Sequence, residues 1–383
     1  MGCKVCNASN SETSLMHTGS GNLAQENNNR DEKKPSQEDY INFLTNFNQN
    51  LSTIGEYYKG DFNEIEKENY SMKYNIENPF EQKEQYFNNK SVTHEMKAIQ
   101  LKNGDIYQGN WNTNFQMEGY GKYFIPDKKI FIEGIWNDGQ IKYGRIILDN
   151  DDIYEGELKD KKSNGKGKLI SKDYIYEGDF VDGVKSGECE IKYTNDNTIY
   201  KGSIKNGQLN GKGKMEWEKS CTYEGEFKDG ALNGWGTITE PSGEKYEGQF
   251  ENNYFHGKGK YTFSNGSFYE GDFYYGIKKG KGTYIEKDQF KFEGTWDHDL
   301  PYGNGRLMKI DESAILKSIW RYGTISEEPK YEKGTKDDFR LINLDIKPYS
   351  IKIDSIKLNH LCIGNSAVTQ YNANIECSFL KDD

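Results

Sequence analysis

A glycine-rich phrase recurs at a fixed interval through the middle of this 383-residue chain, and that recurrence constrains the fold more than any other feature. "YEGEFKDGALNGWGTI" (Tyr223 to Ile238) returns as "YEGQFENNYFHGKGKY" (Tyr246 to Tyr261). The first apolar positions of successive phrases are Tyr107, Ile132, Tyr154, Tyr176, Tyr200, Tyr223, Tyr246, Tyr269, Phe292 and Leu316, 22 to 25 residues apart. Four residues after each comes a second apolar side chain: Trp111, Trp136, Leu158, Phe180, Ile204, Phe227, Phe250, Phe273, Trp296 and Trp320. Such a period marks a stack of supersecondary units rather than one globular core.

Within a unit, Tyr223, Gly225 and Phe227 alternate with Glu224 and Glu226, which puts an aromatic face and an acidic face on one strand. Asp229-Gly230 carries turn chemistry and Gly234-x-Gly236 opens the return strand, so each unit is expected to be a hairpin with a loop longer than two residues. Gly234 and Gly236, two apart, are expected to leave a flat floor for the rings, since aromatic cover offsets the weakness of a strand glycine. An isolated hairpin is marginal, so the units must stack. On the other face, Glu155, Glu157, Glu177, Asp179, Glu224 and Glu226 are expected across the hairpin from Lys166, Lys168, Lys212, Lys214, Lys258 and Lys260. Lysines so neighboured are poor phosphate receptors; a weak anionic-lipid contact is the second reading of that face.

The pattern Y-x-G-x-[FW]-x-x-G-x-x-x-G-x-G in "YEGELKDKKSNGKGKL", "YKGSIKNGQLNGKGKM" and "YEGEFKDGALNGWGTI" resembles the MORN repeat, the membrane occupation and recognition nexus. The resemblance implies an all-β chain. Its body is an elongated single-layer antiparallel sheet of about nine to ten successive hairpins over residues 104–323. The repeat core it implies is Tyr107, Trp111, Tyr154, Tyr176, Phe180, Tyr200, Tyr223, Phe227, Tyr246, Phe250, Tyr269, Phe273, Phe292 and Trp296. Members of the family organise partners at membrane junctions, cell cortices and ciliary radial-spoke heads, and their repeats catalyse nothing. Four places depart from the pattern. The unit from Ile132 has Tyr143 and Arg145 where the glycine pair belongs, Cys189 replaces the second glycine of its unit, and Leu316 to Gly323 is a half unit with Ser318 for glycine. "YYKGDF" (Tyr57 to Phe62) resembles an opening phrase but lacks a following Gly-x-Gly, so it is placed outside the array.

Residues 1–95 hold sixteen asparagines and are expected to be low-complexity and mostly disordered. Within them "SQEDYINFLTNFNQNL" predicts an amphipathic helix over 37–51, with Ser36 and Asp39 as a capping box. Tyr40, Ile41, Phe43, Leu44, Phe47 and Leu51 supply its apolar stripe, which either docks on the chain's own repeats or binds a partner or membrane surface. Residues 324–383 are expected to form a strand-like cap or tail over the last hairpin edge, since Ile342, Leu344, Ile346 and then Tyr349, Ile351, Ile353 alternate.

The chain opens "MGCKVCN", in which Gly2 is a myristoyl acceptor and Cys3 and Cys6 are palmitoylation candidates, Cys6 standing where Ser or Thr is usual. One myristoyl chain binds membrane only marginally, and residues 1–40 offer no polybasic patch, so a second acyl chain is the expected second signal. A net charge of -11 argues against nucleic acid. No apolar run is long enough to span a membrane or to act as a secretory signal, so a cytosolic location is expected. Cys3-x-x-Cys6 has no partner pair for zinc, the five histidines are scattered, and neither a phosphate-loop nor a kinase signature occurs. No metal, cofactor or catalysis is expected. The expected function is a scaffold, acyl-tethered to the cytosolic face of a membrane or cortex, that organises unidentified protein partners, with homodimerisation left open. The alternatives are a ciliary subunit of radial-spoke-head type and a non-catalytic subunit that recruits a lipid kinase.

Overall fold

The computed structural model describes residues 37–64 and 93–340. Gly2, Cys3 and Cys6, Ser36 and the alternating segment 342–353 lie outside the described residues. What is described is one 23-stranded antiparallel sheet preceded by a single long helix.

The hairpin of strands Thr222–Lys228 and Ala231–Thr239 shows how a unit is made. Lys228 pairs with Ala231, and the two residues between them, Asp229 and Gly230, have φ of 49° and 83°. Two left-handed residues in a two-residue connection make a type I′ turn, whose twist matches that of the strands and which Asp-Gly favours. The expected longer loop is therefore corrected: the return strand starts at Ala231, three residues before the glycine pair.

The register then slips. Gly225 pairs with Gly236 and Phe227 with Leu232, leaving Asn233, Gly234 and Trp235 opposite Glu226 alone. Gly234 sits in this bulge at φ 69°, and a Cβ there would collide with the Glu226 carboxylate. The expected floor of Gly234 and Gly236 is thus corrected to Gly225 and Gly236, where a Cβ would run into the Tyr223 ring.

Cross-strand pairing carries this floor from hairpin to hairpin. Gly213, Gly225, Gly236, Gly248, Gly259, Gly271, Gly282, Gly294 and Gly305 are successive partners. The row runs back through Gly202, Cys189, Gly178, Gly167, Gly156, Gly144, Gly134 and Gly121 to Gly109, and forward to Ser318. Gly144 keeps the row intact in the unit from Ile132, so Tyr143 and Arg145 flank the floor instead of replacing it. Cys189 and Ser318 do stand in the row.

The sheet starts before residue 104, which corrects that boundary: strands Gly55–Tyr57 and Thr93–Leu101 pair with each other, and Met96 lies opposite Gly109. Tyr57, at the head of "YYKGDF", is consequently part of the sheet. Phe62 packs on Phe131 beside Ile106, Ile147 and Ile153, on the face away from the tyrosines. At the far end Thr324–Ile325 and Lys330–Lys333 both pair with Ile315–Arg321. Short strands bearing exposed lysines cover an edge that would otherwise invite pairing. The helix spans Gln37–Ile54. Its Phe47 meets Trp111 edge-on at 5.3 Å and its Phe43 stacks on His94 at 4.0 Å, closing the open end of the aromatic face.

Twenty strands lie between Thr93 and Arg321 inclusive, and at roughly 4.8 Å each they give on the order of 90 to 100 Å along the stack. Small-angle scattering is expected to report an elongated particle; a compact spherical profile would contradict this reading.

Candidate functional site

On the aromatic face all fourteen residues named above as repeat core are buried. Each repeat-core tyrosine lies along its own strand over two residues of the row, both glycine except under Tyr176, where one is Cys189, and its hydroxyl donates to the carbonyl three residues on. Tyr223 reaches Glu226 at 2.8 Å, Tyr154 reaches Glu157 at 2.6 Å, Tyr176 reaches Asp179 at 2.7 Å and Tyr246 reaches Gln249 at 2.8 Å. That carbonyl belongs to the strand residue facing the bulge, so the hydroxyl satisfies a group the slipped register would otherwise leave unpaired. Burial holds the phenol of Tyr223 far above its ordinary value, which keeps it a donor. Sequence reasoning took these tyrosines as apolar cover and missed the bond. The signal was present, since the position is Tyr far more often than Phe.

From Tyr200 to Trp320 the rings form a continuous edge-to-face chain, which Leu158 and Ile204 interrupt in earlier units. Tyr223 meets Phe227 at 5.2 Å and Phe250 at 5.1 Å, Tyr246 meets Phe250 at 5.1 Å and Phe273 at 5.2 Å, and Tyr269 meets Phe273 at 5.1 Å and Trp296 at 5.0 Å. Phe292 extends it to Trp296 and Trp320. Tyr200, Tyr223, Tyr246 and Tyr269 thus each bind their own hairpin to the next, in the geometry that aromatic quadrupoles prefer.

Two buried lysines interrupt this face, and neither was anticipated. Lys185 and Lys278 sit opposite Phe180 and Phe273, where other units carry Leu209, Leu232 and Phe255. The Lys185 ammonium is 2.6 Å from the Tyr174 hydroxyl, and burial pulls its pKa down to about 7, partly opposed by Asp152. Burial likewise pulls Lys278 down to about 8. Aligning the phrases would have exposed both as charged residues in an apolar column.

Beyond the apolar cluster under Phe62, the opposite face is polar. Its ion pairs include Lys166 with Asp179 at 2.7 Å, Lys168 with Glu177 at 2.6 Å and Lys258 with Asp272 at 2.5 Å. These join consecutive hairpins, whereas the expectation placed acid and base within one hairpin; Lys214 bonds along its own strand to Glu216. The register strings a single row from Lys122 through Glu133, Arg145, Glu155, Lys168, Glu177, Glu190, Lys201, Lys214, Glu224, Thr237, Glu247, Lys260, Glu270, Thr283, Glu293 and Arg306 to Lys317. It holds eight acidic and eight basic side chains, a formal charge of zero. A trough of about 930 Å³ follows this row from Trp235 to Asn304, lined by Glu247, Glu270 and Glu293 against Lys258, Lys260 and Lys281. In the first units the same face is closed, with Arg145 buried between Glu133 at 3.0 Å and Glu155 at 3.4 Å.

Among the described residues no three His, Cys, Asp or Glu side chains are grouped to hold a metal ion, and no helix is long and apolar enough to cross a membrane. Cys189 and Cys221 are free and buried, and burial pushes the Cys189 thiol up to about 12, well away from reactive thiolate.

The MORN repeat family model matches residues 154–174, 176–198, 200–222, 223–245, 246–268 and 269–285. No curated protein matches the chain. Among solved structures it is similar to the TCP domain of SAS-4 (dCPAP) in complex with a proline-rich motif of Ana2 (dSTIL) from Drosophila melanogaster. That match has 12% identity over 60% of this chain and 90% of that chain, with a TM-score of 0.18. The TCP10c domain of Drosophila melanogaster Sas-4 matches at 12% identity over 53% of this chain and 93% of that chain, with a TM-score of 0.16. Likenesses so slight carry no argument about this chain. The family model thus finds six MORN repeats at residues 154–285, set within a sheet whose glycine row continues beyond them on both sides.

Proposed function

We propose that the chain is a scaffold held at the cytosolic face of a membrane or the cell cortex by acyl chains on Gly2 and on Cys3 and Cys6, presenting its repeat sheet to protein partners. The observation that carries the scaffold reading is the glycine row, interrupted among the described residues at Cys189 and Ser318, which with the ring chain from Tyr200 to Trp320 couples hairpin to hairpin and leaves charged side chains on the other face for contact. The tether rests on the Met-Gly-Cys opening and on the charge balance of the polar row. A face carrying as many acids as bases gains little from an anionic bilayer, so membrane binding needs the acyl chains.

Gly2→Ala in the full chain, expressed in eukaryotic cells, is expected to move the protein from the membrane pellet to the supernatant. Cys3→Ser with Cys6→Ser should do the same, because one acyl chain alone anchors weakly. The thermal melt of the repeats should stay unchanged. Undiminished pelleting of the Gly2→Ala protein would falsify the tether.

A further inference from the structure

Six large aromatic side chains of the last five units, Trp235, Tyr254, Tyr274, Tyr275, Tyr302 and Tyr322, are between 40% and 62% exposed. Tyr254 precedes buried Phe255 and Tyr274 follows buried Phe273, so strand alternation turns both onto the polar face, beside the trough and close to the hairpin turns. Tyr254 and Tyr275 touch at 5.9 Å between centroids, Tyr274 and Tyr275 at 4.9 Å, and His256 and Tyr275 at 4.9 Å. Earlier units carry Lys159, Lys205 and Lys228 at the strand end that Tyr274 occupies here. The tyrosine bank is therefore a local feature and not a requirement of the repeat.

Two carboxylates border these rings. Glu251 accepts from the Tyr275 hydroxyl at 3.4 Å and lies 3.1 Å from Nε2 of His256. Asp297 lies 2.9 Å from Nδ1 of His298 and 3.8 Å from the ammonium of Lys279. That same ammonium is 5.5 Å from the centre of the Tyr274 ring. One cation of the chain itself thus already sits between a tyrosine face and a carboxylate, half-exposed at the surface. Among the described residues no lysine or arginine is seated on the Tyr254, Tyr275 and Glu251 group, where His256 is the basic neighbour of Glu251.

We infer that this bank of tyrosines and carboxylates is a docking surface for an arginine-bearing extended segment of a partner protein. The charges are complementary locally, through Glu251 and Asp297, and over the whole chain, whose net charge of -11 steers cations towards it. Arginine suits the surface better than lysine. Its guanidinium is planar, weakly hydrated and able to stack on a ring while its edge bonds a carboxylate. Spacing also agrees for a segment in the extended polyproline II form: consecutive hairpins stand about 9.6 Å apart, close to the roughly 9.3 Å that three such residues cover, and its three residues per turn keep every third side chain on one face. Arginines at every third position would meet one hairpin each.

The inference rests on the scaffold reading and names the chemistry of its partner, but it does not depend on the tether, so the test is done in solution without membrane. Purified full-length protein is titrated into a fluorescein-labelled peptide with arginine at every third position between serines, and anisotropy is read beside the lysine counterpart. The arginine peptide is expected to bind at least about fivefold more tightly than the lysine one. Tyr274→Ser and Glu251→Gln are each expected to weaken it about fivefold or more with no change in thermal melting, since both side chains are exposed. Lys279→Met, which vacates the seat on Tyr274 and Asp297, is expected to strengthen it. Absence of binding, equal binding of the two peptides, indifference to Tyr274→Ser, or weakening by Lys279→Met each overturns the inference.

Discussion

Gly248→Val is expected to tear the sheet open locally while most of it stays folded. A Cβ at Gly248 would lie 2.5 Å from the Gly259 Cα, 2.6 Å from the Tyr246 hydroxyl and 2.7 Å from the Lys258 carbonyl oxygen. Two of those three atoms are backbone, so a side-chain rotation cannot relieve the collision. Moving Tyr246 aside would break its bond to Gln249 and its ring contacts with Phe250, Phe255 and Phe273. The cost is about 3 kcal/mol or somewhat more, at the top of the usual range for overpacking because the position has no slack. In a stack where each hairpin contacts its neighbours, the damage should stay near residues 223–273. Hydrogen exchange should rise there and remain close to the parent in the first and last units. Uniform loss of protection from Gly109 to Ser318 would refute the nearest-neighbour picture.

Lys185→Leu is expected to act in the opposite direction and to stabilise the protein by about 2 kcal/mol at pH 7, the range seen when a buried charge is replaced by a well-packed apolar side chain. Leucine already fills the equivalent places at Leu209 and Leu232. The pH dependence distinguishes this cause from simple packing. The folded pKa is near 7 and the ordinary value 10.5, so below pH 7 the amine is charged in both states and the fold bears the full burial penalty. As pH rises from 7 the folded state gives up its proton while the unfolded chain keeps it, and the parent protein gains stability. The gap between parent and variant should therefore narrow from pH 7 to pH 9, read as melting temperatures across that interval. A gap that stays constant would mean that Lys185 is not the titrating group.

The recurring phrase determined a good deal by itself. Tyr223, Gly225 and Phe227 alternating with glutamates can only be a strand with unlike faces, and repetition at a near-constant interval requires stacked units, because one such hairpin has no core of its own. The aromatic positions needed no more than that. Which glycine does what was not legible, because it depends on pairing between strands: Gly234 and Gly236 look alike in sequence, yet the bulge opposite Glu226 turns one into a left-handed hinge and leaves the other beneath a ring. The continuity of the floor through Gly144, the sharing of ion pairs between hairpins and the zero charge of the long polar row follow from register, which a local reading of one unit does not contain. Tertiary structure alone also decided that Phe47, from a helix far outside the repeats, closes the aromatic face on Trp111, since the open end of a stack accepts any apolar surface that reaches it and only the folded chain shows which one does.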